Sequence, residues 1–331
     1  MRSIARPLGV AAALLCIGVS VGRAGSGTPA PPLLAFVRSG VHACDFPPDG
    51  SLNPPLNVVG GGPSCAPPPH NVPLDRDEIY LMRRNGRALR RLAPGIEPSW
   101  SPDGQSLAYV RSSRILVVAR AAGGQRRSIT VDPTGQIEWP TWSPDGRQIV
   151  FSELQTSALP VSEQLFVVGS DGTGLRRLTT TIENDHSPAF TPDGRRIAYA
   201  HWGVKPGIWL VNRDGGNPHQ LVALRGWAFG LGWSPTGDTL AFGLVNEPFG
   251  AAKSDGVYLV NRDGSGLHRL VAAGRTDLTS VTIDRPAWTP DGKQITYSTG
   301  RLYAISARGG KSRLVATAPW PIYQPAWQPK P

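Results

Sequence analysis

An all-β fold, a six-bladed β-propeller with four antiparallel strands per blade, is predicted for this 331-residue chain by three observations. The first is an internal repeat. WSPDG stands at Trp100–Gly104 and again at Trp142–Gly146, and variants of the motif place an aromatic residue at Phe190, Trp233, Trp288 and Trp327. Its spacing of roughly 40 to 55 residues is that of propeller blades and too long for leucine-rich or ankyrin units. The second is strand character throughout. Short alternating segments such as SLAYV, QIVFS and RIAYA follow the motif, and no segment has the length and 3.6-residue period of a helix. The third is complementary ends: the chain finishes on a lone IYQPAWQPKP strand and opens, after its leader, on the LLAFVR strand.

Residues 1–24 carry Arg2 and Arg6, an apolar run from Leu8 to Val21, and small residues at Gly22 and Ala24. That is the layout of a secretory signal cleaved after Ala24, with a run shorter than a membrane span requires. A lipid anchor at Cys16 is disfavoured, because Leu15 stands where such signals place a small residue. After a linker at 25–32, residues 33–331 form the propeller. Its blades are about 322–331 with 33–94, then 95–134, 135–181, 182–224, 225–277 and 278–321.

Within each blade the order is an aromatic-bearing strand A, a Ser/Thr-Pro-Asp-Gly turn, an alternating strand B, a second apolar strand C such as QLFVV or GVYLV, a glycine turn, and strand D. Proline presets φ at the second turn position, aspartate bonds the backbone two residues on, and glycine takes the left-handed conformation without steric cost. The aromatics Trp100, Trp142, Phe190, Trp233, Trp288 and Trp327 are expected to fill the space between neighbouring sheets. Pairing of the C-terminal strand with LLAFVR closes the ring and removes two exposed edges.

The formal charge is +10, and +7 once the leader's three arginines are removed. The cations are spread along the chain rather than massed, so nucleic-acid binding is not expected. Arginines in LRRL at Leu89 and Leu175 fall on strand D, where they keep the outer edge from pairing; a polyanion reading this rim is a lesser alternative. Cys44 and Cys65 remain after cleavage and are expected to form a disulfide in an oxidising compartment, contributing about 3 kcal/mol.

The repeats resemble those of the TolB family, whose six-bladed domain has the same Trp-Ser-Pro-Asp-Gly turns and ends on a Pro-Ala-Trp strand that closes the ring. They are also similar to the propellers of prolyl oligopeptidase and dipeptidyl peptidase IV-type proteins. The resemblance implies an α/β domain ahead of the propeller, for which this chain leaves no room. The Tol role is therefore not carried over with the fold.

Strand parity puts the A–B and C–D turns on one face, which looks uniform, and the B–C and D–A loops on the other, which holds nearly all the variation. Recognition is expected on the loop face. Residues entering strand A from that face would ring the channel mouth: Glu97, Glu138 with Trp139, Asp185 with His186, Trp227 with Phe229, Asp284 with Arg285, and Tyr323 with Gln324. This mixture of acids, aromatics, one Arg and one His suits a polypeptide or a small polar ligand. After the leader no Gly-x-Ser-x-Gly elbow, His-x-x-x-His pair or EF-hand run is present, so no catalytic residue, metal or cofactor is assigned. The expected function is an exported, monomeric, non-catalytic scaffold for a protein or peptide partner in the cell envelope, without a membrane span. The alternative is a propeller enzyme of lactonase, glycosidase or quinoprotein dehydrogenase type, with acids in its channel.

Overall fold

The computed structural model describes residues 32–38, 77–83, 88–130, 135–155, 162–246, 255–272, 284–316 and 322–329. The leader, Cys44, Cys65, and the expected blade boundaries at Thr134 and Asp277 lie outside them, as does the side chain of Asp284.

The first sheet holds β1 (Leu33–Arg38), β2 (Glu78–Arg83) and β3 (Arg90–Pro94). The second holds β4 (Ile96–Trp100), β5 (Ser106–Arg111), β6 (Ile115–Arg120) and β7 (Arg126–Thr130). Two further runs follow: β8 (Gly135–Trp142), β9 (Gln148–Gln155), β10 (Ser162–Gly169) and β11 (Arg176–Arg177), then β12 (Asn184–Phe190), β13 (Arg196–Trp202), β14 (Gly207–Asn212) and β15 (His219–Ala223). Separate sheets are formed by β16 (Gly226–Trp233), β17 (Thr239–Asn246), β18 (Gly256–Asn261) and β19 (His268–Ala272), and by β20 (Asp284–Trp288), β21 (Gln294–Ser298), β22 (Leu302–Ser306) and β23 (Arg313–Ala316). The last strand, β24 (Ile322–Trp327), pairs antiparallel with β1, matching Leu34 with Trp327 and Ala35 with Ala326. The first sheet therefore runs β24-β1-β2-β3.

One departure from independent sheets occurs between the third and fourth runs. Glu163 of β10 pairs in parallel with Asn184 of β12, joining β8–β15 into one eight-stranded sheet. The cause is the two-residue β11, too short to cover β10. Beyond it the ladder is continued irregularly, by Leu178 N–H donating to Leu165 O (2.7 Å) and by the Thr179 hydroxyl accepting from Leu165 N–H (3.1 Å).

The repeated turn shows the chemistry expected of it. Asp103 Oδ1 accepts from Gln105 N–H (3.0 Å), and the Ser101 hydroxyl donates to the same oxygen while accepting from Ser106 N–H (2.9 Å). The same three bonds recur around Asp145 with Ser143 and around Asp193 with Thr191. Glycines 104, 146, 194, 237 and 292 all have φ between 65° and 78°.

Successive sheets pack through their inner strands: β4 against β8, β8 against β12, β12 against β16, β16 against β20, β20 against β24, and β24 against β4. The repeat aromatics lie at these contacts. Trp100 packs among Ala35, Leu81 and Leu107, and its indole N–H donates to Ala326 O of β24 (3.0 Å). Trp288 does the same to Gly232 O of β16 (3.0 Å). Phe190 packs with Val150 and Leu165 of the preceding run, Trp142 with Ala108 and Val110, Trp233 with the β13 and β17 core, and Trp327 with Leu302.

Arginines at the turn end do more than guard an edge. Arg176 donates to Asp214 O and Arg213 O (3.0 and 2.9 Å), and Arg127 to Ser170 O (3.3 Å), each capping the next run's C–D turn. Returning the contact, Arg213 grips Asp145 (2.8 Å) and Arg262 grips Asp193 (2.6 Å) of the preceding turn. The Arg213 hydrogen bond holds the Asp145 carboxyl well below its usual range. Both partners of Arg213–Asp145 are about a third exposed, so screening keeps their coupling small. A double-mutant cycle with Arg213→Ala and Asp145→Ala is expected to give roughly 0.2–1 kcal/mol at low salt and less at 1 M; a value above 2 kcal/mol would contradict this.

Candidate functional site

A bulge in every inner strand sets the geometry of the loop end. In β4 the two residues Glu97 and Pro98 stand opposite Tyr109 alone. The same two-against-one step sets Trp139–Pro140 against Phe151, Ser187–Pro188 against Tyr199, Gly230–Leu231 against Phe242, Arg285–Pro286 against Tyr297, and Gln324–Pro325 against Phe36. Proline is tolerated in a strand at such a step, where no ladder donor is required, and a buried strand B aromatic fills the space opposite. Glu97, Trp139, Ser187, Gly230 and Gln324 all take positive φ there, between 52° and 61°.

A bulged N–H has left its ladder and needs another partner. Three of these find it in the preceding run's bulge side chain. Glu97 N–H donates to Gln324 Oε1 (2.7 Å), Trp139 N–H to the Glu97 carboxylate (2.5 Å), and Gly230 N–H to the Ser187 hydroxyl (3.1 Å). These are the three junctions where the preceding bulge residue carries an acceptor; Trp139, Gly230 and Arg285 offer none. Gly230 is also required sterically, since a Cβ would lie 2.6 Å from the Arg285 Cα. Arg285 reaches from β20 to β8, three steps away in the packing order in either direction, donating to Thr141 Oγ1 (3.2 Å) with its guanidinium 6.0 Å from the Trp139 ring centre.

The expected mouth residues thus divide. Glu97, Asp185 and His186 are buried, and Glu138, Trp139, Phe229, Arg285, Tyr323 and Gln324 are partly so. Tyr323 packs against the Val37 and Ile79 cluster, and the Phe229 ring lies where a Gly243 side chain would be. Trp227 is 37% exposed. Its ring lies 5.0 Å from Trp202 and 5.8 Å from His186, and Val204 and Ile182 are exposed at the loop end of the adjoining run. Trp202 and Glu163 were not among the expected residues. The signal for Trp202 was present, an aromatic opening the HWGVKPG loop; Glu163 sits in an ordinary strand C and gave none.

Ionisable groups cluster here. His201 Nδ1 bonds Asp185 Oδ1 (2.7 Å) and Nε2 approaches Glu183 Oε2 (3.1 Å), and the Asp185 bond raises its pKa. Burial pushes His186 down to about 4. Burial, reinforced by the charges of Glu138 and Asp185, pushes Glu163 up to about 8, and burial likewise raises Glu138. Among the described residues no three His, Cys, Asp or Glu side chains stand where they could hold a metal ion.

The turn face is not featureless. It carries shallow grooves, largely open to solvent, of about 700, 560 and 530 Å³, the first between β15 and the β18–β19 turn, the second between Gln148 and Arg213, the third beside Arg120 and Arg127. The expectation of a plain face is corrected: long arginines bridging short turns leave grooves between them.

Sheets packed side by side through their inner strands define a β-propeller, and the solved structure of TolB from Acinetobacter baumannii shares that fold, with a TM-score of 0.68, 18% identity, and coverage of 90% of this chain and 67% of that one. The chain belongs to the TolB beta propeller domain family, whose model matches residues 84–331. An uncharacterised protein of Agrobacterium fabrum is 26% identical over 52% of this chain and 63% of its own length. The Tol-Pal system protein TolB of Bordetella pertussis is 31% identical over 39% of this chain and 30% of its own. This chain thus spans less than two thirds of both curated relatives. Stretches of 95 and 164 residues are similar to a putative tricorn protease homologue of Streptomyces coelicolor and an uncharacterised peptidase of Bacillus subtilis. No helix among the described residues is long and apolar enough to cross a membrane.

Proposed function

We propose that this chain is an exported, monomeric, non-catalytic propeller of six blades that binds a protein or peptide partner of the cell envelope through the loop end of its inner strands, without a cofactor. The observation that carries the reading is Trp227. It leaves over a third of its surface in water while Trp202 and His186 hold the ring. An aromatic fixed before binding loses little entropy on contact and makes an effective anchor. Membership of the TolB propeller family supports a scaffold role. Six blades and a closed ring are supported by the β24–β1 pairing and by β24 packing on both β4 and β20.

The test uses the mature protein, immobilised and challenged with cell-envelope extract, against Trp227→Ala and Trp202→Ala variants of unchanged melting temperature. Loss of a partner from both variants is expected; an unchanged partner list would refute the loop end as the site. Intact-mass analysis of the exported chain checks cleavage after Ala24 and the Cys44–Cys65 disulfide in the same preparation.

A further inference from the structure

The loop end uses none of the arginines at the opposite end of the strands. The cleft beside β7 is lined by Arg120, Arg126 and Arg127 with no carboxylate, and the cleft beside β11 by Arg176, Arg195 and Arg213 with one, Asp214. Arg127 donates to Ser170 O, at the turn leading into β11, so the two clefts lie on consecutive runs. Arg147, exposed on the β8–β9 turn, has no ion pair among the described residues, and neither does Arg195. The fixed members are held from behind. Arg213 is bound by Gln148 and Asp145 and stacks 5.8 Å from Phe190, while Arg176 is bound by two turn carbonyls. Each guanidinium has five N–H donors, and these contacts use two of Arg176's and three of Arg213's.

We infer that this band, from Arg120 to Arg213, binds a linear polyanion bearing repeated phosphate groups. All six cleft cations are arginine, in a chain whose lysines number five. Arginine forks match phosphate or carboxylate oxygens in pairs. Three guanidiniums around one cleft favour phosphate, whose tetrahedral oxygens accept from several directions, over a planar carboxylate. Neither cleft is lined by an aromatic side chain, so stacking, on which single-stranded nucleic-acid binding relies, has no platform. The site is independent of the partner surface at Trp227.

The test measures binding of fluorescent long-chain polyphosphate to residues 25–331 by anisotropy. The band variant, Arg120→Glu with Arg147→Glu and Arg195→Glu, is compared with a control of equal charge change, Arg301→Glu with Arg308→Glu and Lys311→Glu, all exposed on the β20–β23 run. The band variant is expected to bind at least about tenfold more weakly and the control less than about threefold, with affinity falling steeply as salt rises. Absence of binding, or equal loss in both variants, would overturn the inference, the latter leaving only net charge. Alginate, a polycarboxylate of matched charge, binding as tightly as polyphosphate would overturn the phosphate assignment, and single-stranded DNA binding more tightly than polyphosphate would overturn the argument that the band offers no stacking platform. Should the band variant melt early, Arg195→Ala with Arg147→Ala replaces it, since neither side chain bonds a neighbour; undiminished polyphosphate binding by that pair would equally overturn the inference.

Discussion

Removal of Ile322–Pro331 is expected to abolish cooperative unfolding of the whole chain rather than fray one end. The segment supplies β24, and what it touches belongs to three different sheets. In the first it pairs with β1 and seats Trp327 among Leu34, Phe36 and Met82. Toward β4 it accepts the Trp100 indole N–H at Ala326 O and the Glu97 N–H at Gln324, and Gln328 donates to Gly104 O (2.8 Å). Toward the β20–β23 sheet, Trp327 Nε1 donates to Thr296 Oγ1 (3.0 Å). Truncating a buried tryptophan alone costs about 3–5 kcal/mol, against a total stability of roughly 5–15 kcal/mol for a domain. Deleting the strand adds the exposure of β1's backbone edge and of the inner faces of β4 and β20. Trp327→Ala is therefore expected to lower stability by about 3–5 kcal/mol in denaturant titration, and the deletion to leave no single cooperative transition. A truncated protein that melts like the intact one would refute the dependence of the sheets on their shared strand.

Much of this architecture was legible because each repeat restates it. The turn could be derived from Ser-Pro-Asp-Gly alone, and the N- and C-terminal strands announced their pairing by being unmatched halves. The bulge was legible in principle and was missed. Proline two residues before the repeat aromatic, at 98, 140, 188, 286 and 325, cannot sit in an unbroken ladder, and a Tyr or Phe recurs in every strand B. Together these mark a two-against-one step that fixes where each bulge residue sits. What could not be read was the pairing between repeats. That Arg213 meets Asp145 and Arg285 meets Thr141 depends on how consecutive sheets are rotated, which no local pattern encodes. Nor does the SEQLFVV segment reveal that Glu163 meets the carboxyls of its neighbours.

That meeting makes the fold sensitive to pH. Glu163 is buried, its Oε1 has no hydrogen-bond partner among the described residues, and Asn184 Oδ1, on its pairing partner, has none either. Its carboxyl, ordinarily near 4.5, titrates at about 8 in the folded chain. Between those values the unfolded chain has given up the proton while the folded chain keeps it, so the native state binds more protons and stability falls as pH rises, levelling off above about 8. His186 acts in the opposite sense over a lower range: at about 4 when folded against 6.5 ordinarily, it makes stability fall as pH drops below 6.5. Glu163→Gln keeps the volume and removes only the first effect. Relative to the parent, the variant is expected to be indistinguishable near pH 4.5 and increasingly more stable toward pH 8, by an amount on the order of a few kcal/mol. Its acid limb, set in part by His186, should be unchanged, so the stability maximum shifts upward in pH. Denaturant titrations at pH 4.5, 6, 7 and 8.5 measure the difference directly. Parallel profiles for parent and variant would show that Glu163 ionises freely in the folded chain, and that the joint between β10 and β12 carries no protonated carboxyl.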